Sequence, residues 1–136
     1  MKIFLKVITP VKTILSEEVD EITVPTHSGV ISILPNHVDL LTKVSPGEMF
    51  IKTNGKIDNF AITGGFLEVS KNKVNILADY AVRASNIEIA KAKEAQARAE
   101  KAMKEKEGSK EFIIAEAELR KAILELKIAN RRRNSL

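Results

Sequence analysis

The sequence of 136 residues has no cysteine, no tryptophan and only two histidines, His27 and His37. Without cysteine there is no disulfide framework, no thiolate metal site and no cysteine nucleophile; two histidines close together in one loop region make a histidine-rich metal site or a catalytic triad a poor reading. Aromatic side chains are scarce, limited to Phe4, Phe50, Phe60, Phe66, Phe112 and Tyr80. Long apolar runs are missing as well. Nothing approaches the roughly 20 residues that span a bilayer, and the opening Met1-Lys2-Ile3-Phe4-Leu5-Lys6 is broken by charge before it could act as a secretory core. The expectation is a soluble or peripheral protein; the lack of cysteine leaves the compartment open, and cytoplasmic residence fits it.

The length allows one domain, or one small domain with an appendage, and excludes a two-domain dehydrogenase or kinase. Charge is nearly balanced overall, at +4, but it is unevenly placed. Residues 1–84 hold nine basic and nine acidic side chains and residues 85–136 thirteen and nine, so the entire excess lies in the second part, where Arg131, Arg132 and Arg133 stand together. Composition breaks at the same point. All four prolines and five of six glycines precede residue 85, and ten of fourteen alanines follow it. Turn formers and the best helix former are thus separated, the pattern of a β domain (1–84) followed by helices (85–136).

In the first part, β-branched and apolar stretches recur between turn signals: Ile3–Ile8, Thr13–Leu15, Glu21–Val24, Val30–Leu34, Met49–Thr53, Lys56–Ile62, Phe66–Val69 and Val74–Leu77. About 8–10 short strands at this spacing predict a β-sandwich or barrel. Asn54-Gly55 predicts a type I′ hairpin, because both central residues need positive φ, and Gly64-Gly65 predicts a sharp bend or a close backbone approach.

The period turns helical after residue 84. Ser85-Asn86-Ile87-Glu88 reads as a capping box opening a first helix to about Lys106. Gly108 suits a left-handed helix end and Ser109 a cap for a second helix, expected from about Lys110 to Arg131. Phe112, Ala115, Leu119, Ala122, Leu126 and Ala129 form a 3-4-3-4-3 seam, answered by Ala92, Ala95, Ala99 and Ala102. Such seams and a short connection predict an antiparallel two-helix hairpin. Alanine buries little apolar surface, at about 25 cal/mol per Å², yet favours helix strongly. The hairpin is therefore expected to be marginal as a pair while its helices persist singly, which suits either a movable arm or a static hairpin.

Two blocks carry a family resemblance. The first is Thr26-His27-Ser28-Gly29-Val30-Ile31-Ser32-Ile33-Leu34-Pro35-Asn36-His37, continued by Asp39-Leu40-Leu41-Thr42 and Ser45-Pro46-Gly47. The second is Phe60-Ala61-Ile62-Thr63-Gly64-Gly65-Phe66-Leu67-Glu68-Val69, continued through Val74 to Asp79. In this order, and with a two-helix tail, they resemble the epsilon subunit of bacterial F-type ATP synthases across nearly the whole chain. The resemblance implies a β-sandwich bound to the gamma shaft and the c-subunit ring, and a hairpin that can rise into the alpha/beta catalytic head and restrain ATP hydrolysis. It implies a non-catalytic rotor subunit, peripheral on the cytoplasmic face of the cell membrane and held there only through the complex. No cofactor is required. The residues agree, because the acids are scattered and the glycines form no phosphate-cradling loop.

By position in the family motif, Leu34, Pro35 and His37 are candidate contacts with gamma or the c ring; His37 also reads simply as a turn histidine bonded to nearby backbone. His27 matches no motif residue. Some relatives carry an acid at the place of Val30. Some bind ATP through I-D-x-x-R-A, and the matching Ile87-Glu88-Ile89-Ala90-Lys91-Ala92 keeps Ile and Ala but has Glu for Asp and Lys for Arg. Lysine lacks the bidentate fork of arginine, so Glu88, Lys91, Ala92 and the downstream Arg98 are weak candidates for ATP as a regulatory ligand. Arg120, Lys121, Lys127 and Arg131–Arg133 are candidates to face an acidic segment of the beta subunit; they also complement the dipole of the last helical turn. Nucleic acid is disfavoured, since only Phe112 lies among these charges and no stacking platform accompanies them. The alternative function is a free-standing β-sandwich adaptor whose basic helices bind an acidic partner or RNA.

Overall fold

The computed structural model describes the backbone of residues 1–105 and 110–135, and the side chains of 1–105 and 110–131. The chain divides into two units, Met1–Arg83 and Ala84–Leu136.

The first unit is a β-sandwich of ten strands: β1 (Ile3–Ile8), β2 (Thr13–Val19), β3 (Glu21–Thr26), β4 (Gly29–Ile33), β5 (Leu40–Lys43), β6 (Gly47–Thr53), β7 (Lys56–Thr63), β8 (Phe66–Ser70), β9 (Lys73–Leu77) and β10 (Tyr80–Arg83). They form two five-stranded sheets, ordered β2-β1-β9-β8-β5 and β10-β7-β6-β3-β4. The pairings are antiparallel except that β1 and β9 run parallel, Phe4 beside Lys73 through Ile8 beside Leu77. Period-2 alternation explains which face goes inside. Ile3, Leu5 and Val7 of β1, Ile22 and Val24 of β3, Leu67 and Val69 of β8, and Val74 and Ile76 of β9 all join one buried apolar cluster between the sheets, with Met49, Ile51, Phe60 and Ile62. β2 departs from alternation where the register shifts between Val7 and Ile8, which pair with Leu15 and Thr13. The bulge turns Ile14 partly into the core beside Leu15.

Strands β5 and β10 were not foreseen in the sequence. Each has four residues and lies at a sheet edge, held by one neighbour only, too short to show a period. The β6–β7 hairpin follows expectation: Thr53 pairs with Lys56, and Asn54 and Gly55 have φ of 52° and 81°. A second two-residue turn, Lys71-Asn72, has φ of 50° and 62° without any glycine, so its sequence gave little warning.

The Gly64-Gly65 pair is a close approach. Gly65 has φ +106°, and a Cβ there would lie 1.9 Å from the Leu77 carbonyl oxygen. Its own carbonyl accepts the Val44 N–H at 2.9 Å, which ties the start of β8 to the β5–β6 connection. At the N-terminal end, Lys2 Nζ lies 2.8 Å from Asp20 Oδ1 and donates to Asn54 Oδ1 at 2.7 Å, while Asp20 Oδ2 accepts the Asn54 N–H at 2.7 Å. The hydrogen bond from Lys2, and then that from the Asn54 amide, hold the Asp20 carboxyl below its usual value.

The second unit opens with a 3₁₀ turn, Ala84–Asn86, followed by α1 (Ile89–Glu105) and α2 (Lys110–Ser135). Here the capping box is corrected. The Ile87 N–H bonds to the Ala84 carbonyl at 3.3 Å, and the first α-helical bond runs from the Ala92 N–H to the Glu88 carbonyl at 3.0 Å. The tight turn consumes Ser85, so Glu88 occupies the cap position that Ser85 was expected to fill, and its side chain pairs with Lys91 at 3.3 Å. Lys106, Gly108 and Ser109, the expected first-helix end and second-helix cap, lie outside the described residues. The helices α1 and α2 pack on each other. Ala92, Ala99, Ala115, Ala122 and Ala129 are buried as the seams require, while Ala95, Ala102, Phe112, Leu119 and Leu126 are half-buried. Ile128 is also buried, though it lies outside the expected seam, and the 3₁₀ turn packs against α2.

Two expectations follow. Gly65→Ala meets backbone rather than a flexible side chain and adds left-handed strain, so urea unfolding should show a loss of at least about 2 kcal/mol. Asp20, with its pKa depressed by folding, stabilises above the ordinary carboxylate range, and that contribution disappears as pH falls through the folded value. Melting temperature between pH 6 and pH 3 should therefore drop less in Asp20→Asn than in the parent, whose neutral-pH stability the variant should not reach.

Candidate functional site

The candidate residues fall into separate groups on the two units. Leu34, Pro35, Asn36 and His37 form a turn between β4 and β5. The His37 N–H bonds to the Leu34 carbonyl at 3.2 Å and Asn36 has φ 68°, the type II arrangement, with proline at the second position and a positive φ at the third. His37 Nδ1 lies 2.7 Å from the Val38 carbonyl, to which it donates as the Nδ1–H tautomer. The imidazole is thus a turn histidine bonded to local backbone. Leu34 and Val38 remain exposed beside it, at 52% and 75%. At the opposite turn, Thr26 Oγ1 donates to the Gly29 carbonyl at 2.6 Å and accepts the Ser28 N–H at 3.2 Å. Val30, where some relatives were expected to carry an acid, points an apolar side chain into solvent.

Strand pairing assembles one feature that the linear sequence did not reveal. Across the outer face of the first sheet, Ile8 pairs with Leu77, Leu77 with Phe66, and Phe66 with Lys43. Phe66 and Leu77 are more than half exposed. With Thr9, Pro10, Gly64 and Asp79 they line an open groove of about 630 Å³. The signal in the sequence was faint: these positions continue the outward phase of strands whose inward phase is apolar, so composition alone does not separate Phe66 and Leu77 from core residues.

On α1, the nucleotide candidates divide. Lys91 and Arg98 are seven residues apart, two turns along one exposed face and about 10 Å along the axis, and Glu88 lies on the same side, already paired with Lys91. Ala92 is buried in the seam instead. On α2, Arg120, Lys127 and Arg131 share an exposed face at seven- and four-residue spacing, whereas Lys121 is half-buried on another side. Arg120 is paired with Glu116 one turn earlier. The side chains of Arg132 and Arg133 lie outside the described residues.

Chemically these groups are surfaces. Among the described residues no cluster of three or more His, Asp or Glu is placed to hold a metal ion. Among the described residues no helix is long and apolar enough to cross a membrane.

Comparison with known proteins fits the geometry to a family. Residues 2–84 match the family model for the β-sandwich domain of the ATP synthase delta/epsilon chain, and residues 85–130 the model for its long α-helix domain. The chain is 42% identical over 134 residues to the ATP synthase epsilon chain of Herpetosiphon aurantiacus, covering 98% of each. It is 39% identical over 131 residues to that of Geobacter sulfurreducens, covering 96% of this chain and 95% of the relative. Among solved structures, it resembles a chain of the Euglena gracilis mitochondrial ATP synthase with a TM-score of 0.65 at 24% identity, covering 98% of this chain and 81% of that one. A second likeness, to a chain in the central stalk and c-ring structure of the Tetrahymena thermophila mitochondrial ATP synthase, has a TM-score of 0.55 at 21% identity over 64% of this chain and 70% of that one. The two solved structures speak for the fold; the two family models, end to end across the strand-to-helix boundary, and relatives of 39% and 42% identity over nearly the full length settle descent, and the chain belongs to the ATP synthase delta/epsilon chain family.

Proposed function

We infer that this chain is a non-catalytic central-stalk subunit of an F-type ATP synthase, coupling c-ring rotation to ATP synthesis and restraining ATP hydrolysis through its C-terminal helices. The single observation that carries the reading is the near-full-length match to ATP synthase epsilon chains, which favours it over a free-standing adaptor or an RNA-binding protein.

The division of labour follows from packing. A β-sandwich with a continuous apolar core suits a rigid coupling piece. The Leu34–His37 turn, with its exposed leucine, and the apolar row Ile8–Leu77–Phe66 are the surfaces we assign to the stalk contacts with gamma and the c ring, because apolar side chains left in water at this density mark contact surfaces. The hairpin differs: five of its buried positions in α1 and α2 are alanines, which permit close approach but contribute little burial energy. We assign Arg120, Lys127 and Arg131, on one exposed face, to an acidic segment of the beta subunit when the arm is raised. Attachment through these contacts makes the protein peripheral, on the cytoplasmic face of the membrane. ATP is a regulatory ligand in this reading, with the exposed Lys91 and Arg98 as its phosphate contacts.

Removing residues 85–136 should leave assembly intact and raise ATP hydrolysis by the complex, and Arg120→Ala with Lys127→Ala and Arg131→Ala should raise it part of the way. Unchanged hydrolysis in the truncated enzyme would reject the brake. For the nucleotide, titration with ATP to millimolar concentration should shift the backbone NMR signals around Lys91 and Arg98; at 100 times the dissociation constant the ligand would stabilise the hairpin by about 2.7 kcal/mol, and a flat titration removes ATP from the mechanism.

A further inference from the structure

The Leu34–His37 turn closes on a single backbone hydrogen bond of 3.2 Å, at the long end of the N–H···O range. It sits within the six-residue connection between β4 and β5, which no strand pairing holds. Its third residue, Asn36, adopts φ 68°, a conformation that is unfavourable for any residue with a Cβ and least so for Asn and Asp. Something outside the turn must hold it. The Asn36 N–H donates to Asn72 Oδ1 at 2.6 Å, and Asn36 Nδ2 lies 3.3 Å from the Met1 sulfur.

Asn72 is itself firmly seated. It is the second residue of the β8–β9 turn, with φ 62°, and its carbonyl accepts the Phe4 N–H at 2.9 Å. A path of hydrogen bonds therefore runs from β1, inside the first sheet, through the backbone and then the side chain of Asn72 to the tip of the Leu34–His37 turn. The backbone conformation at position 72 does not by itself call for asparagine, because glycine takes positive φ more easily. What asparagine adds is the acceptor aimed at Asn36.

We propose that Asn72 is a positioning residue for the stalk contact: its side-chain oxygen clips the Leu34–His37 turn to the rigid sheet, so that Leu34, Pro35 and His37 are presented in one conformation to the neighbouring subunit. This rests on the reading of that turn as a contact surface. Without the clip the turn samples other conformations, and the partner must select the competent one, which lowers apparent affinity by the fraction lost.

The test uses the full-length chain rebound to ATP synthase from which this subunit has been stripped. Asn72→Gly keeps the backbone conformation and removes the acceptor; Asn72→Asp keeps both. The glycine variant should melt close to the parent, show faster hydrogen exchange at the Asn36 amide, and bind the stripped complex about three- to tenfold more weakly, the equivalent of one ordinary hydrogen bond. The aspartate variant should restore both exchange protection and affinity. Parent-like affinity in Asn72→Gly, no rescue by Asn72→Asp, or a loss that merely follows melting temperature would overturn the proposal. Leu34→Ser with His37→Ala separates the two layers. If that double variant binds like the parent, the turn is no contact and Asn72 loses its functional role; if the Asn36 amide exchanges no faster in Asn72→Gly, the clip itself is wrong whatever the double variant does.

Discussion

Burial of one face of every strand in a single shared core is the constraint on which this protein depends. Because side chains alternate along a strand, each strand that offers Ile, Leu or Val at every second position has only one way to face its neighbour sheet. Ten short strands meet in this one core, and the apolar cluster from Ile3 to Ala81 is the result. The corners follow from the core. Gly65 must bring β8 against Leu77 with no side chain between them, and Asn54-Gly55 must reverse the chain in two residues, or the strands they join would lose register.

The helical unit obeys a weaker version of the same rule. Its contact is made mostly of alanine methyl groups, so the helices approach closely but exclude little water per residue. Intrinsic helix propensity compensates along each helix, not between them. The excess positive charge of the chain lies in this second unit, the one with the alanine-lined contact. That distribution is the basis for the proposed division of labour, with the sandwich as coupling piece and the helices as brake.

The surfaces proposed for partner recognition draw their members from distant parts of the sequence. Ile8, Phe66 and Leu77 become neighbours only because β1 lies parallel to β9 and β9 pairs with β8. The turn at Leu34–His37 is steadied by Asn72, 36 residues further along. In each case the rigid sheet supplies the geometry and a loop or edge supplies the chemistry, the usual partition in sandwich folds.

Much of this was legible in the sequence because it depends on local rules. Eight strands, the I′ turn at Asn54-Gly55, the tight approach at Gly64-Gly65, the alanine seams and the break near residue 84 follow from alternation, turn preference and helical period, each read within about ten residues. By resemblance, the family motifs added the expectation that Leu34, Pro35 and His37 face a neighbouring subunit. Tertiary structure decided the rest. β5 and β10 exist because an edge was available to pair with, not because four residues favour strand. Ser85 lost its capping role to Glu88 because the chain leaves β10 through a 3₁₀ turn, and Ile128 is buried although the alanine period does not include it. Whether Phe66 and Leu77 are core or surface depends on which phase of the strand faces the other sheet, and pairing between segments remote in sequence sets that phase.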